Sequence, residues 1–391
     1  MTSMRILQLC PFLHAGVVSG VANHVLNLSK QLQELGHDVT VFSAKLGARM
    51  AYREEIEGIT VRHLRVMKVA PVKAGYLPHL EWLRAIRLGH FDLIHAHSYA
   101  YFPSYTAAIA ARRTTPVVLT THQPPTSAAF ENKRLADLYN RTVGHFALQR
   151  CDRVIALTKL EAMYLETSLL LDRQKVAIIP NGVDLETFNP GAMRRAARRT
   201  VLFVGRLSEE KGVFDLLRAV PLVLKKVPDA VFMLVGDDGE TQACLSRLAR
   251  NLKIDSKVSI CGPLFGSELV EAYRSAQLLV APSIYETFGL SILEGMAVGL
   301  PIVASCVGGI PELVQDMVNG ILVQPSDPEK LAEAVIRLLS NQELATKISQ
   351  NNIAKAQSYS WERIAMSVLQ VYVEAMEANP RKTTQQARCA R

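Results

Sequence analysis

The chain has 391 residues, 49% of them hydrophobic, which is too long for one ordinary domain and suits two domains of roughly 180 residues, each with its own core. Its formal net charge is +8, unevenly spread: residues 1–190 carry 21 Lys and Arg against 15 Asp and Glu, and the remainder 23 against 21. A basic first half can meet anionic lipid headgroups at a membrane surface or nucleic acid, and 6% aromatic content with no stacking motif speaks against the nucleic acid.

In chain order, apolar runs at residues 4–10, 39–42, 93–97, 117–121 and 154–157 alternate with helix-length segments and predict a first parallel sheet. A second set at 201–204, 231–235, 258–260, 278–280 and 302–304 repeats the pattern. The fold class is therefore α/β, with two doubly wound, Rossmann-like domains in series and a cleft between them. The predicted domains are 1–180 and 181–360, followed by an amphipathic helix over 361–378 and a disordered tail over 379–391. Asn181 and Gly182, within Pro180-Asn181-Gly182-Val183-Asp184, read as the hinge, and basic residues 193–199 as the connector. No run of about 18 apolar residues occurs, and the start leads directly into a strand, so a cytoplasmic protein without signal peptide or membrane span is expected. The six cysteines are scattered with no Cys-x-x-Cys pair, as befits reduced thiols.

Four places carry candidate chemistry. The turn at residues 16–21, Gly-Val-Val-Ser-Gly-Val, follows the first strand, and Gly20 there precedes a helix. It reads equally as a ligand loop and as a plain tight turn, because the spacing is not Gly-x-Gly-x-x-Gly. All ten histidines precede residue 150. His95 and His97 stand two apart on one strand face, and His122 ends a neighbouring strand, so the three are expected to cluster, one or two as cleft hydrogen-bond partners and the rest as satisfied core histidines, rather than as a zinc site. For His122 the loop beginning Gln123-Pro124-Pro125 favours a position in the cleft. Leu77, Leu80, Trp82 and Leu83, with Arg84 and Arg87, form either an ordinary amphipathic helix or a seat for an apolar, lipid-linked acceptor.

The second domain is more informative. Arg206 and Lys211, in Gly-Arg-Leu-Ser-Glu-Glu-Lys-Gly, lie between its first strand and the next helix, where two cations can neutralise a departing diphosphate. Glu286 and Glu294 bracket a later strand-to-helix turn, the edge at which an α/β sheet binds its ligand. Their spacing alone says little among 36 acidic residues; the turn carries the argument. Amides of Phe288, Gly289 and Leu290 open the helix toward an anion, and Glu294, one turn further in, reaches vicinal hydroxyls. A phosphate flanked by two polyhydroxyl groups fits, and a nucleotide-sugar is such a molecule. Gly308-Gly309-Ile310-Pro311, taken alone, is a simple turn with proline opening a helix.

Together these pieces resemble the retaining glycosyltransferases of the GT-B fold, family 4 type, a group that includes sucrose and trehalose synthases and phosphatidylinositol mannosyltransferases. The resemblance covers nearly the whole chain and rests on Ser19-Gly20-Val21, Gly36-His37-Asp38-Val39, Asn181-Gly182-Val183-Asp184, Gly205-Arg206 through Lys211-Gly212, Glu286 through Glu294, and Gly308-Gly309. It implies a hexosyltransferase taking a UDP- or GDP-sugar such as GDP-mannose to a sugar or lipid-linked acceptor, with no metal or other cofactor. It implies Glu294 on the ribose diol, Arg206 and Lys211 on the diphosphate, and Glu286 with the Gly289 and Leu290 amides on the transferred sugar. It implies His122 beside that sugar, backbone around Pro263 and Leu264 at the base, Gly20 and Gly205 in donor-binding turns, and a last helix returning to the first domain. Domain closure would then expel water. Two departures stand out: Ser19 replaces the first of the usual paired glycines, and Asp237-Asp238-Gly239 carries an extra acid. Two other readings keep the residues but change the outcome: a nucleotide-sugar epimerase or hydrolase of the same fold, and a non-catalytic two-lobed sugar-binding protein.

Overall fold

The computed structural model of the protein describes residues 3–13, 19–45, 50–68, 76–112, 114–122, 133–191, 199–237 and 239–378. It divides into two units, one comprising Met1–Gly182 with Trp361–Arg391 and the other Val183–Ser360. The predicted tail over 379–391, most of the 193–199 connector and the segment after His122 lie outside the described residues.

The first unit begins with β1 (Arg5–Phe12), α1 (Gly20–Glu34), β2 (Asp38–Ala44), β3 (Tyr52–Ile56), β4 (Ile59–Leu64), β5 (Val66–Lys68) and β6 (Tyr76–Pro78). It continues through α2 (Leu80–Leu88), β7 (Leu93–His97), α3 (Phe102–Ala110), β8 (Val117–Thr120), α4 (Lys133–Arg141), α5 (Val143–Arg150), β9 (Arg153–Ala156), α6 (Lys159–Thr167) and β10 (Val176–Ile178). Eight strands form its sheet in the order β10-β9-β8-β7-β1-β2-β4-β3. All pairs are parallel except β3 with β4, which departs from the all-parallel expectation. That edge hairpin escaped the apolar pattern because Tyr-Arg-Glu-Glu-Ile alternates partly buried and exposed residues. The sheet order reverses between β1 and β7, so this unit's switch point lies there.

In the second unit β11 (Arg199–Val204), α7 (Val213–Leu224), β12 (Ala230–Val235), α8 (Gly239–Asn251), β13 (Val258–Ile260) and α9 (Gly266–Ser275) come first. They are followed by β14 (Leu278–Ala281), α10 (Leu290–Val298), β15 (Ile302–Ser305), α11 (Ile310–Leu313), β16 (Ile321–Val323), α12 (Pro328–Ser340) and α13 (Gln342–Ala356). Its six strands are parallel in the order β13-β12-β11-β14-β15-β16, reversing between β11 and β14. The core is aliphatic: Val201, Phe203, Leu217, Val220, Phe232, Leu278, Val303 and Val335 pack into one buried cluster. Strands buried on both faces account for the continuous apolar runs in the sequence.

The last helix, α14 (Trp361–Glu377), belongs to the first unit. Its buried face, Ile364, Val368, Leu369, Val371 and Tyr372, packs with Leu28 and Leu32 of α1 and Ile6 of β1. Gly182 is pressed against it: a Cβ there would lie 2.5 Å from the Trp361 ring. In α2 the structure decides between the two sequence readings. Trp82 is fully buried against Phe42 and Phe102, so it is core and not part of an acceptor seat, while Leu77 and Leu80 remain exposed. Among the described residues no helix is long and apolar enough to cross a membrane, and Cys10, Cys151, Cys244, Cys261 and Cys306 are unpaired.

Candidate functional site

In the second unit, two loops flank the switch point. One runs from the end of β11 to α7 and carries Gly205, Arg206 and Lys211; the other runs from β14 to α10 and carries Glu286, Phe288 and Gly289. They are tied together by backbone: the carbonyl of Glu210 accepts from the amides of Ile284 at 2.9 Å and Tyr285 at 3.3 Å. Gly212 allows this approach, since with φ +67° a Cβ on it would fall 1.8 Å from the carbonyl oxygen of Pro282. Only glycine fits there without moving the loop.

The consequence is a side-chain pair across the switch point. Lys211 Nζ donates to Glu286 Oε2 at 2.6 Å, with side-chain exposures of 22% and 17%. In the first reading these two charges serve different parts of a ligand; in the folded chain they neutralise each other. Arg206 shares the loop, but its guanidinium is 60% exposed and turned to Glu210 at 3.3 Å, so it does not join the Lys211–Glu286 pair. Such an exposed i,i+4 pair holds its partner weakly.

Glu286 is fixed from a third loop that sequence reasoning had read as a bare turn. Gly309 donates its amide to the Glu286 carbonyl at 3.2 Å, and a Cβ on Gly308, at φ +54°, would sit 1.7 Å from that same oxygen. Gly308-Gly309 is therefore a close-approach device, and the signal for it was the glycine pair itself.

α10 starts at Leu290 with Gly289 as its N-cap. The amides of Phe288, Gly289, Leu290 and Ser291 have no hydrogen-bond partner among the described residues, the first intrahelical bonds being those of Ile292 and Leu293 to the Gly289 carbonyl. Four free donors at the positive end of a helix form an anion cradle. The Phe288 side chain is buried near Tyr359, leaving its amide as the functional part. One turn on, the Tyr273 hydroxyl donates to Glu294 Oε2 at 2.7 Å, while Oε1 has no partner among the described residues. Burial lifts the Glu294 carboxyl from the ordinary 4.5 to about 7, against the opposing pull of the Tyr273 bond. Pro263 and Leu264 follow edge strand β13, exposed and partly buried respectively.

In the first unit the chemistry is uncharged. Gly20 opens α1, where Ser19 Oγ accepts from the Ala22 amide at 3.3 Å; this capping explains serine at the first position of the loop motif. His95 and His97 meet His122 as expected, and His24 of α1 joins them. His97 Nδ1 lies 2.9 Å from His122 Nε2, His97 Nε2 lies 2.6 Å from Gln8 Oε1, and His24 Nδ1 lies 2.6 Å from Asn181 Oδ1. Asn181, read as hinge, is thus a buried anchor of the cluster. Burial lowers His24 to about 4 and holds His95, His97 and His122 well below the ordinary 6.5, so all four are neutral near pH 7. His122 sits at φ +58°, a left-handed conformation that costs a non-glycine residue free energy and concentrates at functional positions.

His24, His97 and His122 place one ring nitrogen each within 4.8 Å of the others, the arrangement among the described residues that offers metal ligands. Two imidazoles on a tetrahedral zinc stand about 3.3 Å apart at ordinary bond lengths. His97 Nδ1 and His122 Nε2 are closer, at 2.9 Å, so a metal held by both of these nitrogens would need them to move apart. A separate cavity of about 540 Å³, lined by Arg112, Asp152, Arg153 and Lys175, lies at the amino ends of β8 and β9, the edge away from the switch point. Its polar groups serve the fold: Asp152 caps the Val117 amide, and Lys175 donates to the carbonyls of Gln149 and Cys151.

Comparison with known proteins places this geometry. Residues 191–355 match the family described as Glycosyl transferases group 1, and residues 18–187 match Glycosyltransferase Family 4. A D-inositol 3-phosphate glycosyltransferase of Frankia alni is 32% identical over 92% of this chain and 96% of its own length. One from Salinispora tropica is 30% identical, over 96% and 85%. Among solved structures, sucrose-phosphate synthase of Thermosynechococcus elongatus superposes with a TM-score of 0.81 at 24% identity, covering 96% of this chain and all of the other (100%). Anabaena HepE, solved with UDP and glucose, gives 0.78 at 21%, covering 95% and 99%. At these identities the two structures share the fold.

Proposed function

Because the chain belongs to the glycosyltransferases of group 1 and family 4, with the GT-B pair of Rossmann-like units, we propose that it moves a hexose from a nucleoside-diphosphate sugar to a sugar or lipid-linked acceptor, retaining the anomeric configuration without a metal ion. The observation that carries this reading is the fixed Lys211–Glu286 pair at the switch point, beside four unpaired amides that open α10. Lys211 and the amides of Phe288, Gly289 and Leu290 take the diphosphate, and Arg206 swings from Glu210 to join them. One positioned cation stabilises a departing charge by about 3 kcal/mol, and the amides add to it.

When the diphosphate enters, Lys211 exchanges the Glu286 carboxylate for phosphate oxygens, and Glu286 is released to the hydroxyls of the transferred hexose. Glu294 takes the ribose diol with Oε1 while Tyr273 holds Oε2. Backbone at Pro263 and Leu264 meets the base, and His122 in the first unit takes a sugar hydroxyl. In the transfer step the bond from the anomeric carbon to the phosphate oxygen breaks, and the acceptor oxygen forms its bond on the same face. The acceptor proton passes to the departing phosphate oxygen. The related proteins named for D-inositol 3-phosphate make a phosphorylated polyol the first acceptor to try, and the net positive charge of residues 1–190 suits it. Peripheral contact of that basic half with anionic membrane fits a lipid-linked acceptor equally.

The test is nucleotide release from a panel of uridine, guanosine and adenosine diphosphate sugars, with and without inositol 3-phosphate, free sugars or anionic vesicles, in chelator. Release that depends on one donor and one acceptor is expected. If no donor yields nucleotide with any acceptor, the transferase assignment for this chain fails.

A further inference from the structure

Beneath His122 runs a single file of buried hydrogen bonds. It links Thr120 Oγ1 to His95 Nε2 at 2.8 Å, His95 Nδ1 to the Tyr372 hydroxyl at 2.7 Å, and Tyr372 to Gln8 Nε2 at 3.2 Å. From Gln8 Oε1 it continues to His97 Nε2 at 2.6 Å and from His97 Nδ1 to His122 Nε2 at 2.9 Å. Thr120, His95, Tyr372, Gln8 and His97 are fully buried and His122 nearly so.

Each neutral imidazole in such a file has one proton, so fixing the direction of one bond fixes them all. Gln8 is the link with no choice of role once its amide is placed, because its oxygen only accepts and its nitrogen only donates. With Oε1 toward His97, the His97 proton stays on Nε2 and Nδ1 is an acceptor. His122 must then carry its proton on Nε2, and its Nδ1 is left bare. On the other side, the Gln8 amide donates to Tyr372, whose hydroxyl donates to His95 Nδ1, and His95 Nε2 donates to Thr120. With the amide turned over, every bond reverses and His122 presents an N–H instead of a lone pair.

We propose that Gln8, with Tyr372 of the last helix supporting its orientation, is a positioning residue that holds His122 in the Nε2–H tautomer, so that His122 Nδ1 meets a sugar hydroxyl as acceptor and not as donor. Only the sugar contact rests on the function proposed above; the tautomer assignment stands on the hydrogen bonds alone. A structural role for Gln8 would require a filled space; a positioning role requires an acceptor at that point.

The experiment uses the full chain labelled with ¹⁵N-histidine, with long-range ¹H–¹⁵N correlation to read the protonated nitrogen of each ring and His122→Asn to assign the His122 signals. The unmodified protein is expected to show His122 protonated on Nε2 alone. Gln8→Leu fills the space without an acceptor and should leave His122 as a mixture of both tautomers. Gln8→Glu, kept protonated by burial, offers its carbonyl oxygen to His97 and its hydroxyl to Tyr372 as the amide does, and should restore the single form. With a working donor, kcat should fall about tenfold in Gln8→Leu and return in Gln8→Glu, with the donor KM within about threefold throughout. His122 protonated on Nδ1 in the unmodified chain, or unaltered in Gln8→Leu, overturns the proposal. Absence of turnover in the unmodified chain overturns the transfer reading alone, since the spectrum decides the tautomer without it.

Discussion

Glu294→Gln separates binding from stability, because the change preserves shape and removes only ionisation. Burial raises the Glu294 carboxyl from 4.5 to about 7, so the folded protein keeps a proton that the unfolded chain has released across that window. Stability is therefore full below about pH 4.5, declines as pH rises toward 7, and is flat above. The full shift corresponds to about 3 kcal/mol. Part of the Glu294 surface stays open to water, and the Tyr273 bond to a charged acceptor is lost with the amide, which brings the expected gain to about 1–2 kcal/mol. Urea unfolding should thus give equal stabilities for Glu294→Gln and the unmodified protein near pH 4.5, and an advantage for the variant at pH 8. Nucleotide-diphosphate affinity should move the opposite way, falling about 10- to 100-fold as charged hydrogen bonds to the diol are lost. A stability difference independent of pH, or a variant less stable at pH 8, would refute the reasoning about the buried carboxyl.

Lys211→Met should lower kcat about 100-fold, the loss that follows removal of one preorganised electrostatic group, measured by steady-state nucleotide release. Glu286→Gln frees Lys211 from its partner, so isothermal titration should show nucleoside diphosphate binding maintained or tightened while turnover drops at least tenfold. Unchanged turnover would remove Glu286 from the site. Gly308→Ala drives a Cβ into the Glu286 carbonyl at positive φ and should cost about 2–4 kcal/mol in thermal unfolding, with activity reduced in the surviving folded fraction.

Much of this architecture could be read from the sequence because the decisive signals are local. Strands buried on both faces leave uninterrupted apolar runs, and Leu93–His97 and Val258–Ile260 were located to the residue. The three-residue strands β10 and β16 are too short to show a period, and the charged edge strand β3 lacks an apolar face. The second-unit loops were legible since glycine, a cation and an acid recur at strand ends. The pairing of Lys211 with Glu286, 75 residues on, was not, because sequence spacing says nothing of which loops a switch point brings together. The histidine network was half legible. Alternation on β7 and the end of β8 announced His95, His97 and His122, but Gln8 meets Tyr372 across 364 residues, and His24 meets Asn181 across 157. Trp82 left two readings open for a physical reason: an aromatic followed by Arg84 and Arg87 on an amphipathic helix suits core and interface alike while its partners, Phe42 and Phe102, are distant in sequence.

The two units place opposite chemistry at equivalent positions of their sheets. At the β11–β14 switch point the groups are ionised and arranged around free amides, which suits the charged end of a nucleotide donor. At the β1–β7 switch point they are imidazoles kept neutral by burial and aligned by an amide and a phenol, which suits hydroxyl groups, for which hydrogen-bond direction matters more than charge. On this argument, replacing the Lys211 cation and reversing the His122 tautomer impair different events, leaving-group departure and sugar orientation. The double variant of Lys211→Met and Gln8→Leu should therefore lose the product of the single losses, and a loss no greater than that of Lys211→Met alone would mean that the two groups act on one event.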